Sequence, residues 1–297
     1  FSRFDNAQLR FLNVAGMVKA YNLQTSNQHI SVETYYRFLI QQVLPGYDKV
    51  LYLDSDLIVR GDVSELYDTE LGNNLVAAVR DIDYLGNLNM NDGNRMKYTN
   101  DVLGLADPYG YFQAGVLVLN TEQMRKHYPF QKWLEFASEP KYIYDDQDIL
   151  NAHCQGRVAY LDNAWNVMND CGGRIKKVFS FAPAAVYDEF IRAYANPKIL
   201  HYAGFEKPWK PGPCDQEELY WFYARQTPFY EKLLGMVYPN WNDMNDECAE
   251  VERRITTPAR AVSENSPLRK VFDGVLPQGS HRREIAKAAV RTLRGRH

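Results

Sequence analysis

Cysteine is scarce in this sequence, and the few cysteines lie too far apart to form a familiar metal or redox motif. The 297 residues include four cysteines, and no two of them make a C-x-x-C pair. This argues against a zinc knuckle or a thioredoxin-type site, and the wide spacing predicts reduced thiols in a cytosolic protein. No internal repeat stands out. No apolar run approaches the length of a membrane-spanning helix, which predicts a soluble or peripherally bound protein.

Net charge is small for the whole chain but uneven along it. Residues 251–297 hold 11 basic and 4 acidic residues, whereas residues 1–250 hold 23 basic and 33 acidic residues. This asymmetry predicts an anionic partner surface, which we expect to be a membrane and not nucleic acid. Within the tail, Ile285, Ala288, Ala289 and Leu293 fall on one face of a helical pattern flanked by basic residues, as in helices that lie on anionic membranes. A solvated basic tail is the alternative.

Short apolar runs alternate with helical patterns, which predicts an α/β fold. Residues 29–44 predict a helix that begins after Ser31 and ends at Pro45-Gly46. Further helices are predicted from Thr121 to Ala137 and over residues 146–153. Apolar runs at 49–54, 74–79, 115–119, 158–161 and 198–201 predict strands. Because such runs are typical of strands buried on both faces, we expect a mainly parallel central sheet.

Two further segments complete the predicted organisation. Residues 84–107 are polar and rich in Asn and Gly, so they predict a long loop. We expect a catalytic domain over residues 1–246, and a basic tail with short amphipathic helices over residues 247–297. The sequence does not begin with Met and opens in the middle of a pattern, so we expect it to be a fragment that lacks its beginning.

Asp54 and Asp56 directly follow the apolar run 50–53. In an extended segment residues i and i+2 point the same way, so both carboxylates should lie at the end of a buried strand. Ligands bind at that end of open α/β sheets. Two oxygen donors there suit Mg²⁺ or Mn²⁺, which complete their coordination with water and substrate phosphates. Acidic pairs are also common in solvated turns, so the pair alone leaves both interpretations open.

Two other segments contain residues that could bind a ligand or take part in catalysis. In His201-Tyr-Ala-Gly-Phe-Glu-Lys207, the histidine ends a strand-like run, Gly204 permits close backbone approach to a ligand, and Lys207 can neutralise phosphate. The segment 144–151, YDDQDILN, places three carboxylates beside Gln147. These carboxylates could contact a sugar, or could serve only the dipole of a helix N-terminus.

Four segments in a fixed order then become informative together: YDKVLYLDSDLIVRGDVSELYDTELG, YFQAGVLVLN, YDDQDILN and HYAGFEKPW. Their order and spacing over roughly residues 31–210 resemble glycosyltransferase family 8. The resemblance implies the GT-A fold. It also implies kinship with α-galactosyl- and α-glucosyltransferases of bacterial lipopolysaccharide assembly and with glycogenin. From the resemblance we expect this sequence to lack the family's first β-α-β unit, which contributes uridine contacts.

The resemblance also implies roles for individual residues. It assigns Asp54, Asp56 and His201 to a divalent cation, with Mn²⁺ preferred over Mg²⁺ because imidazole suits it better. It assigns Asp146 and Gln147 to the catalytic centre. The residues assigned to the sugar nucleotide are Arg37, Asp54, Ser55, Asp81, Gln113, Ala114, Gly204 and Lys207. Gln113 stands where the family usually has Asn, which leaves the donor sugar open; Asp81 could alternatively serve only to cap a turn.

The implied reaction is transfer of glucose or galactose from a UDP-sugar to a glycan or glycolipid, with the α configuration retained. We expect it in cell-surface polysaccharide or lipopolysaccharide synthesis, in the cytoplasm or on the inner face of the plasma membrane. Because the Gln147 amide is a poor nucleophile, a front-face route is preferred. A nucleotidyltransferase would also use paired acids on an α/β sheet, and a sugar- or nucleotide-binding remnant without turnover is the other alternative.

Overall fold

The computed structural model describes residues 6–23, 25–26, 31–90 and 93–238. The strands within these residues are Val50–Leu53 (β1), Leu57–Val59 (β2), Val76–Arg80 (β3), Phe112–Leu119 (β4), Val158–Tyr160 (β5), Val167–Met168 (β6) and Ile199–His201 (β7). The predicted strands therefore occur at or near their predicted positions, and the fold is α/β, as predicted.

Helices surround these strands. The α-helices of the described residues are Ala15–Val18 (α1), Ile40–Val43 (α2), Ser64–Tyr67 (α3), Ile82–Leu88 (α4), Asn94–Tyr98 (α5), Thr121–His127 (α6), Phe130–Ala137 (α7), Asp145–Cys154 (α8), Arg174–Lys177 (α9), Ala184–Ala195 (α10), Glu217–Ala224 (α11) and Tyr230–Val237 (α12). Segments of 3₁₀-helix span Val32–Leu39, Pro108–Gly110, Asn163–Trp165, Cys171–Gly173 and Phe179–Phe181, and Thr99–Leu103 forms a π-helix.

The strands form two mixed sheets, so the prediction of a mainly parallel sheet is wrong. The first has the order β1-β4-β3-β5, with β4 antiparallel to both β1 and β3, and β3 parallel to β5. The second has the order β2-β7-β6, with an antiparallel and a parallel pair. Along β4, Leu117 packs into one hydrophobic core and Val118 into another. Burial on both faces explains the continuous apolar run without fixing the strand direction.

The prediction of a long loop over residues 84–107 is also wrong. Its described residues contain most of α4, all of α5 and the π-helix. Leu85 and Leu88 are buried on α4, and the Asp81 carboxylate caps that helix by accepting a hydrogen bond from the Tyr84 amide. The apolar positions therefore outweigh the turn-forming composition of the segment.

Two predicted helices differ in detail. The 121–137 helix is two helices, since Tyr128 is extended and Pro129 precedes α7, and Asn120 rather than Thr121 caps the first of them. Residues 32–39 form a 3₁₀-helix that continues into α2, and Ser31 stands at its N-cap without a side-chain cap bond.

The described residues up to Tyr238 belong to one compact unit. The predicted domain boundary at 246, the tail helices and the predicted membrane-binding face lie outside the described residues. Among the described residues, no helix has the length and apolar character needed to cross a membrane. Cys154, Cys171 and Cys214 are buried free thiols, as predicted; Cys248 lies outside the described part.

Candidate functional site

Asp54, Asp56 and His201 converge at the junction of the two sheets. The chain passes from β1 in the first sheet through these two aspartates into β2 of the second. Because β2 and β7 are antiparallel with Leu57 opposite His201, the imidazole lies beside Asp56. His201 Nε2 lies 3.3 Å from Asp56 Oδ1 and 3.9 Å from Asp54 Oδ2. One potential ligand atom from each residue lies within 4.8 Å of the other two.

The orientation of the His201 ring is fixed from behind. Its Nδ1 atom lies 2.9 Å from Asn166 Oδ1, and Asn166 Nδ2 donates to Gln113 Oε1 at 2.6 Å. With the amide nitrogen of Asn166 directed at Gln113, its oxygen faces the histidine and accepts the Nδ1 proton. Nε2 is therefore the ring nitrogen that faces the two carboxylates, as in histidine metal ligands supported by a second hydrogen bond.

Gly115 provides the space that this convergence needs. A Cβ atom at position 115 would lie 2.4 Å from His201 Cε1 and 2.8 Å from Asp54 Oδ2. Contacts under 3.0 Å force a neighbouring atom to move. The Gly115 carbonyl also accepts the Asp54 amide at 2.8 Å. This glycine on β4 is therefore part of the site, because any side chain would occupy the space between the imidazole and the carboxylate.

The second oxygen of Asp54 is held by two donors. Oδ1 accepts from Tyr52 Oη at 2.7 Å and pairs with Arg37 Nη2 at 3.1 Å. The Arg37 guanidinium also lies over the Tyr52 ring, 4.4 Å from its centroid. These contacts leave Oδ2 directed at the histidine side. Tyr52, two residues before Asp54 on β1, thus orients the carboxylate.

Asp56 lies between His201 and Lys207. Lys207 Nζ donates to Asp56 Oδ2 at 2.6 Å and to the Tyr202 carbonyl at 2.5 Å. Burial alone would raise the pKa of Asp56, but its contacts with His201 and then Lys207 hold that pKa well below its usual range. The group is therefore an anion at any physiological pH.

These observations fit a divalent cation. Two carboxylates and an imidazole that presents its Nε2 atom form a mixed oxygen and nitrogen donor set, which suits Mn²⁺ and other borderline divalent ions. The glycine at 115 leaves room beside the donor atoms. The structure thus brings the three predicted metal ligands together, and a metal of that class has a suitable cradle here.

Two adjoining cavities border this cluster. One, of about 490 Å³, is lined by Ser55, Asp56, Lys207 and Trp209 among others. The other, of about 190 Å³, is lined by Gln113, Ala114, Gly115, Tyr144, Asp146 and Gln147. Thr34, Arg37 and Asp54 line both. Every predicted ligand-binding residue except Asp81, Gly204 and His201 therefore lines one of the two cavities.

Arg37 organises the wall between the two cavities. It is buried, its Nε atom pairs with Asp146 Oδ2 at 3.0 Å, and its Nη1 atom donates to the Ala114 carbonyl at 2.5 Å. Thr34 donates to the other oxygen of Asp146. Burial raises the pKa of Asp146 to about 6, although Arg37 and Thr34 act to lower it. Near neutral pH the pair is a buried carboxylate and guanidinium.

Gln147 and Asp81 meet although they lie far apart in the sequence. Gln147 Nε2 donates to Asp81 Oδ2 at 2.9 Å, while Gln147 Oε1 accepts from the Ala114 amide at 2.9 Å. Asp81 caps α4 with its other oxygen. Burial, followed by the nearby charge of Asp83, raises the pKa of Asp81 to about 6. Asp81 therefore both caps a helix and fixes the amide that lines the smaller cavity.

The other acidic residues around Gln147 have structural contacts. Asp148 is fully buried and accepts hydrogen bonds from Tyr98, Tyr111 and the amides of Ile143 and Tyr144. Asp145 accepts from the Ser26 amide and the Tyr35 hydroxyl. Of the three acids in this segment, only Asp146 lines the smaller cavity.

Gly204 turns the chain at the start of the loop that carries Lys207. Its φ of +104° lies in a region that residues with side chains rarely adopt, and a Cβ there would lie 3.0 Å from Cys171 Sγ. The predicted backbone freedom at this position is therefore used.

Sequence reasoning missed three contributors to this site: Asn166, Tyr52 and the space at Gly115. Gly115 and Tyr52 occur in segments that resemble the family, but no pattern in one sequence indicates which atoms they contact. Gln113 was predicted to line the donor sugar; it lines the smaller cavity, and its oxygen also accepts from Asn166 and from the Gly115 amide.

Comparison with known proteins agrees with this geometry. The sequence model of Glycosyl transferase family 8 matches residues 2–211. The lipopolysaccharide 1,3-galactosyltransferase of Salmonella typhimurium is 27% identical over 193 residues, which cover 62% of this chain and 51% of that protein. The lipopolysaccharide 1,2-glucosyltransferase of Escherichia coli is 28% identical over 183 residues, with 60% and 50% covered. The chain thus spans about half the length of these curated relatives.

Solved structures are similar as well. A crystal structure of an active-site mutant of LgtC matches with a TM-score of 0.61 and 30% identity, covering 77% of this chain and 79% of that one. The galactosyltransferase LgtC in complex with donor and acceptor sugar analogs matches with a TM-score of 0.52 and 30% identity, covering 74% and 71%. The described body therefore has a GT-A-like α/β fold.

Proposed function

The chain belongs to glycosyltransferase family 8, and from this premise we propose that it transfers glucose or galactose from a UDP-sugar to a glycan or glycolipid. The α configuration of the donor is retained. The observation that carries the proposal is the convergence of Asp54, Asp56 and His201 beside two cavities that share Arg37. The larger cavity suits a nucleoside diphosphate, and the smaller cavity suits the sugar attached to it.

In this proposal the larger cavity takes the nucleotide and the diphosphate. Lys207 contacts the Asp56 carboxylate and the Tyr202 carbonyl. When the UDP-sugar binds, a phosphate oxygen would replace the carboxylate as the partner of the Lys207 ammonium. Gly204 allows the loop backbone to approach that phosphate. Ser55 is exposed between the two metal-binding aspartates and lines the same cavity.

Departure of UDP leaves negative charge on the β-phosphate. A divalent cation held by Asp54, Asp56 and His201 would supply Lewis-acid stabilisation of that charge. Lys207 adds a second positive charge on the same side of the bond that breaks. Asn166, Tyr52 and Arg37 act earlier, because they hold the ligand side chains in position before the donor binds.

The smaller cavity would hold the sugar ring between Gln113, Ala114, Asp146 and Gln147. Both atoms of the Gln147 amide are engaged, with Oε1 at the Ala114 amide and Nε2 at Asp81. This amide is neutral and a poor nucleophile. We therefore favour front-face transfer: the bond from the anomeric carbon to the phosphate oxygen breaks, the acceptor oxygen bonds to that carbon, and its proton passes to the departing phosphate.

UDP release distinguishes this proposal from the two alternatives. The purified full-length protein is incubated with Mn²⁺ and either UDP-glucose or UDP-galactose, and free UDP is measured with and without chelator. A transferase releases UDP in a metal-dependent manner, with or without a sugar acceptor. A nucleotidyltransferase would release pyrophosphate from UTP and a sugar 1-phosphate instead. Donor binding without any turnover would indicate a binding remnant.

The relatives named as lipopolysaccharide galactosyl- and glucosyltransferases support a role in cell-surface polysaccharide or lipopolysaccharide synthesis. We place that role in the cytoplasm or on the inner face of the plasma membrane. The basic composition of residues 251–297 supports peripheral contact with anionic lipid.

A further inference from the structure

A third cavity lies beyond the two already described. It measures about 200 Å³ and lies between α4, α5 and the segment before α8; its lining residues are Asn87, Met90, Asn94, Arg95, Tyr98 and Ile143. This lining combines a guanidinium, two amides, a tyrosine and two apolar side chains. Such a mixture suits a saccharide, which presents hydroxyl groups at its edge and C–H groups on its faces.

Tyr144 connects this cavity to the proposed sugar cavity. It lines the smaller cavity together with Asp146 and Gln147. Its hydroxyl accepts a hydrogen bond from Arg95 Nη2 at 2.5 Å. Burial raises the pKa of Tyr144 to about 12, with Arg95 lowering it and Asp83 and Asp81 raising it, so this hydroxyl lies in the field of the acid that binds Gln147. The third cavity therefore begins at the wall of the proposed reaction centre.

Arg95 has donors to offer a ligand. Its guanidinium lies 4.6 Å from the ring centroid of Tyr144 and 5.2 Å from that of Tyr84. Among residues 6–23, 25–26, 31–90 and 93–238, no carboxylate forms an ion pair with it, whereas Arg37 and Arg174 each pair with an aspartate. An arginine carries five N–H donors, and the contacts described for this side chain use one. The two rings hold the guanidinium in place, and within the part of the chain that the structure describes only the Tyr144 hydroxyl accepts from it.

We propose that this cavity is a subsite for the acceptor glycan, which holds the sugar unit next to the one that receives the transferred hexose. The three cavities then follow one another along the reactants: the nucleoside diphosphate, the donor sugar, and the acceptor unit beyond the one that receives the hexose. Arg95 donates to hydroxyl oxygens of that unit, and Met90 and Ile143 contact its apolar face. The cavity is formed by the helical segment between Asp81 and β4 together with Ile143, which directly precedes Tyr144 at the wall of the smaller cavity.

This inference rests on the proposed transferase activity, and the test separates the two. The full-length protein is assayed with UDP-glucose and UDP-galactose, first without acceptor and then with methyl glucoside, methyl galactoside, methyl lactoside or methyl maltoside. Variants are Arg95→Met, Ile143→Ala and, as the matched control, Lys97→Met, which removes a charge from an exposed position on the same helix.

We expect Arg95→Met to raise the KM of the preferred disaccharide about tenfold or more, the effect of losing hydrogen bonds from a charged donor. The KM of the monosaccharide and UDP release without acceptor should stay unchanged. Ile143→Ala should raise the disaccharide KM less, about threefold, because only apolar contact is lost. Lys97→Met should resemble the wild type.

Three results would overturn the subsite. The first is an equal rise in the KM of mono- and disaccharide in Arg95→Met. The second is slower UDP release without acceptor in Arg95→Met, which would show that Arg95 only supports Tyr144. The third is that no saccharide accelerates UDP release by the wild type. In each case metal-dependent UDP release itself leaves the transferase proposal standing. Absence of any UDP release from either donor overturns both.

Discussion

His201 and Asn166 form the contact that decides which ring nitrogen faces the two aspartates. The 2.9 Å separation between His201 Nδ1 and Asn166 Oδ1 leaves Nε2 as the ring nitrogen that faces Asp54 and Asp56. Gln113 completes the arrangement, because it accepts from the Asn166 amide nitrogen and prevents the amide from turning over.

The first prediction concerns Asn166. Replacing it with Leu removes the acceptor for the Nδ1 proton while keeping a side chain of similar volume. We expect Mn²⁺ affinity to fall about 10- to 100-fold, as for other supporting contacts of metal-bound histidines, with helix content retained. The measurement is UDP release as a function of Mn²⁺ concentration. Asn196→Leu, at an exposed position after α10, is the control; unchanged Mn²⁺ dependence in Asn166→Leu would contradict the role.

The second prediction concerns Gly115. We expect Gly115→Ala to eliminate UDP release, because the added methyl group lies 2.4 Å from His201 Cε1 and 2.8 Å from Asp54 Oδ2 and separates the ligands. Gly46→Ala is the matched control, since a Cβ there meets nothing within 4 Å and its φ is not positive. Circular dichroism of both variants tests folding. A folded Gly115→Ala protein with wild-type Mn²⁺ dependence would show that the three side chains do not share a cation.

The sequence predicts the metal cluster better than its surroundings, for physical reasons. Asp54 and Asp56 follow an apolar strand at i and i+2, and His201 ends another apolar run. The family resemblance then assigns all three to one cation. Asn166 follows a single 3₁₀ turn and belongs to no periodic pattern. Its importance arises only because β6 pairs with β7 and brings it beside the histidine. Gly115 is similar, since the side chains that need its space come from other strands.

Strand direction could not be predicted from the same patterns. An apolar run reports burial on both faces, and β4 has two cores around it whether its neighbours are parallel or antiparallel. For residues 84–107 the prediction was a loop, because their Asn and Gly content indicates turns, whereas the segment contains helices. Buried Leu85 and Leu88 and the Asp81 cap nevertheless stabilise α4. Tertiary packing overrides local composition at both places.

The third prediction concerns pH. Burial raises the pKa values of Asp81 and Asp146 to about 6 each. Both oxygens of Asp81 accept hydrogen bonds, and Asp146 pairs with Arg37, so the ionised forms maintain the site. Activity should therefore be full above about pH 7 and fall as pH decreases through 6. The limiting slope of log activity against pH should be about two, one for each carboxylate. Asp81→Asn should have lower activity at every pH, and its residual activity should fall with a slope of about one. An unchanged slope would remove Asp81 from the reaction centre, and circular dichroism at each pH excludes unfolding as the cause.

The fourth prediction concerns stability and His153. This ring is stacked on Phe136, with centroids 3.6 Å apart, and lies 3.1 Å from the Tyr142 hydroxyl. Burial lowers its pKa from 6.5 to about 4. The unfolded chain thus binds the proton first as pH falls, so the contribution of His153 to stability is full above pH 6.5 and is lost towards pH 4.

Replacement of His153 with Phe tests this titration. Because Asp81 and Asp146 have raised pKa values and act with the opposite sign over part of this window, the measure is the difference between wild type and variant. The drop in Tm between pH 7.5 and pH 5 should be smaller in His153→Phe than in the wild type. Exposed His127→Phe should leave the drop unchanged. An equal drop in all three proteins would show that His153 does not couple protonation to folding.

The last prediction concerns Asp56, which is both a proposed metal ligand and the partner of Lys207. Asp56→Ala removes one of three donors and leaves the Lys207 ammonium without its carboxylate. We expect UDP release to fall to background at every Mn²⁺ concentration, while the fold is retained, because the side chain lies at a cleft and fills no core volume. Asp68→Ala, an exposed carboxylate that follows α3, is the matched control.

Lys207 separates loss of the metal from loss of the charge pair. Lys207→Met alone should keep a normal Mn²⁺ dependence, with a raised KM for the UDP-sugar and a lowered kcat. If Asp56 mattered mainly as the partner of Lys207, then Asp56→Ala combined with Lys207→Met would recover to the activity of Lys207→Met alone, since the double variant leaves no unpaired ammonium. If Asp56 is a metal ligand, the double variant stays inactive. Recovery in the double variant, or full wild-type activity in excess chelator, would exclude the metal from this junction of the two sheets.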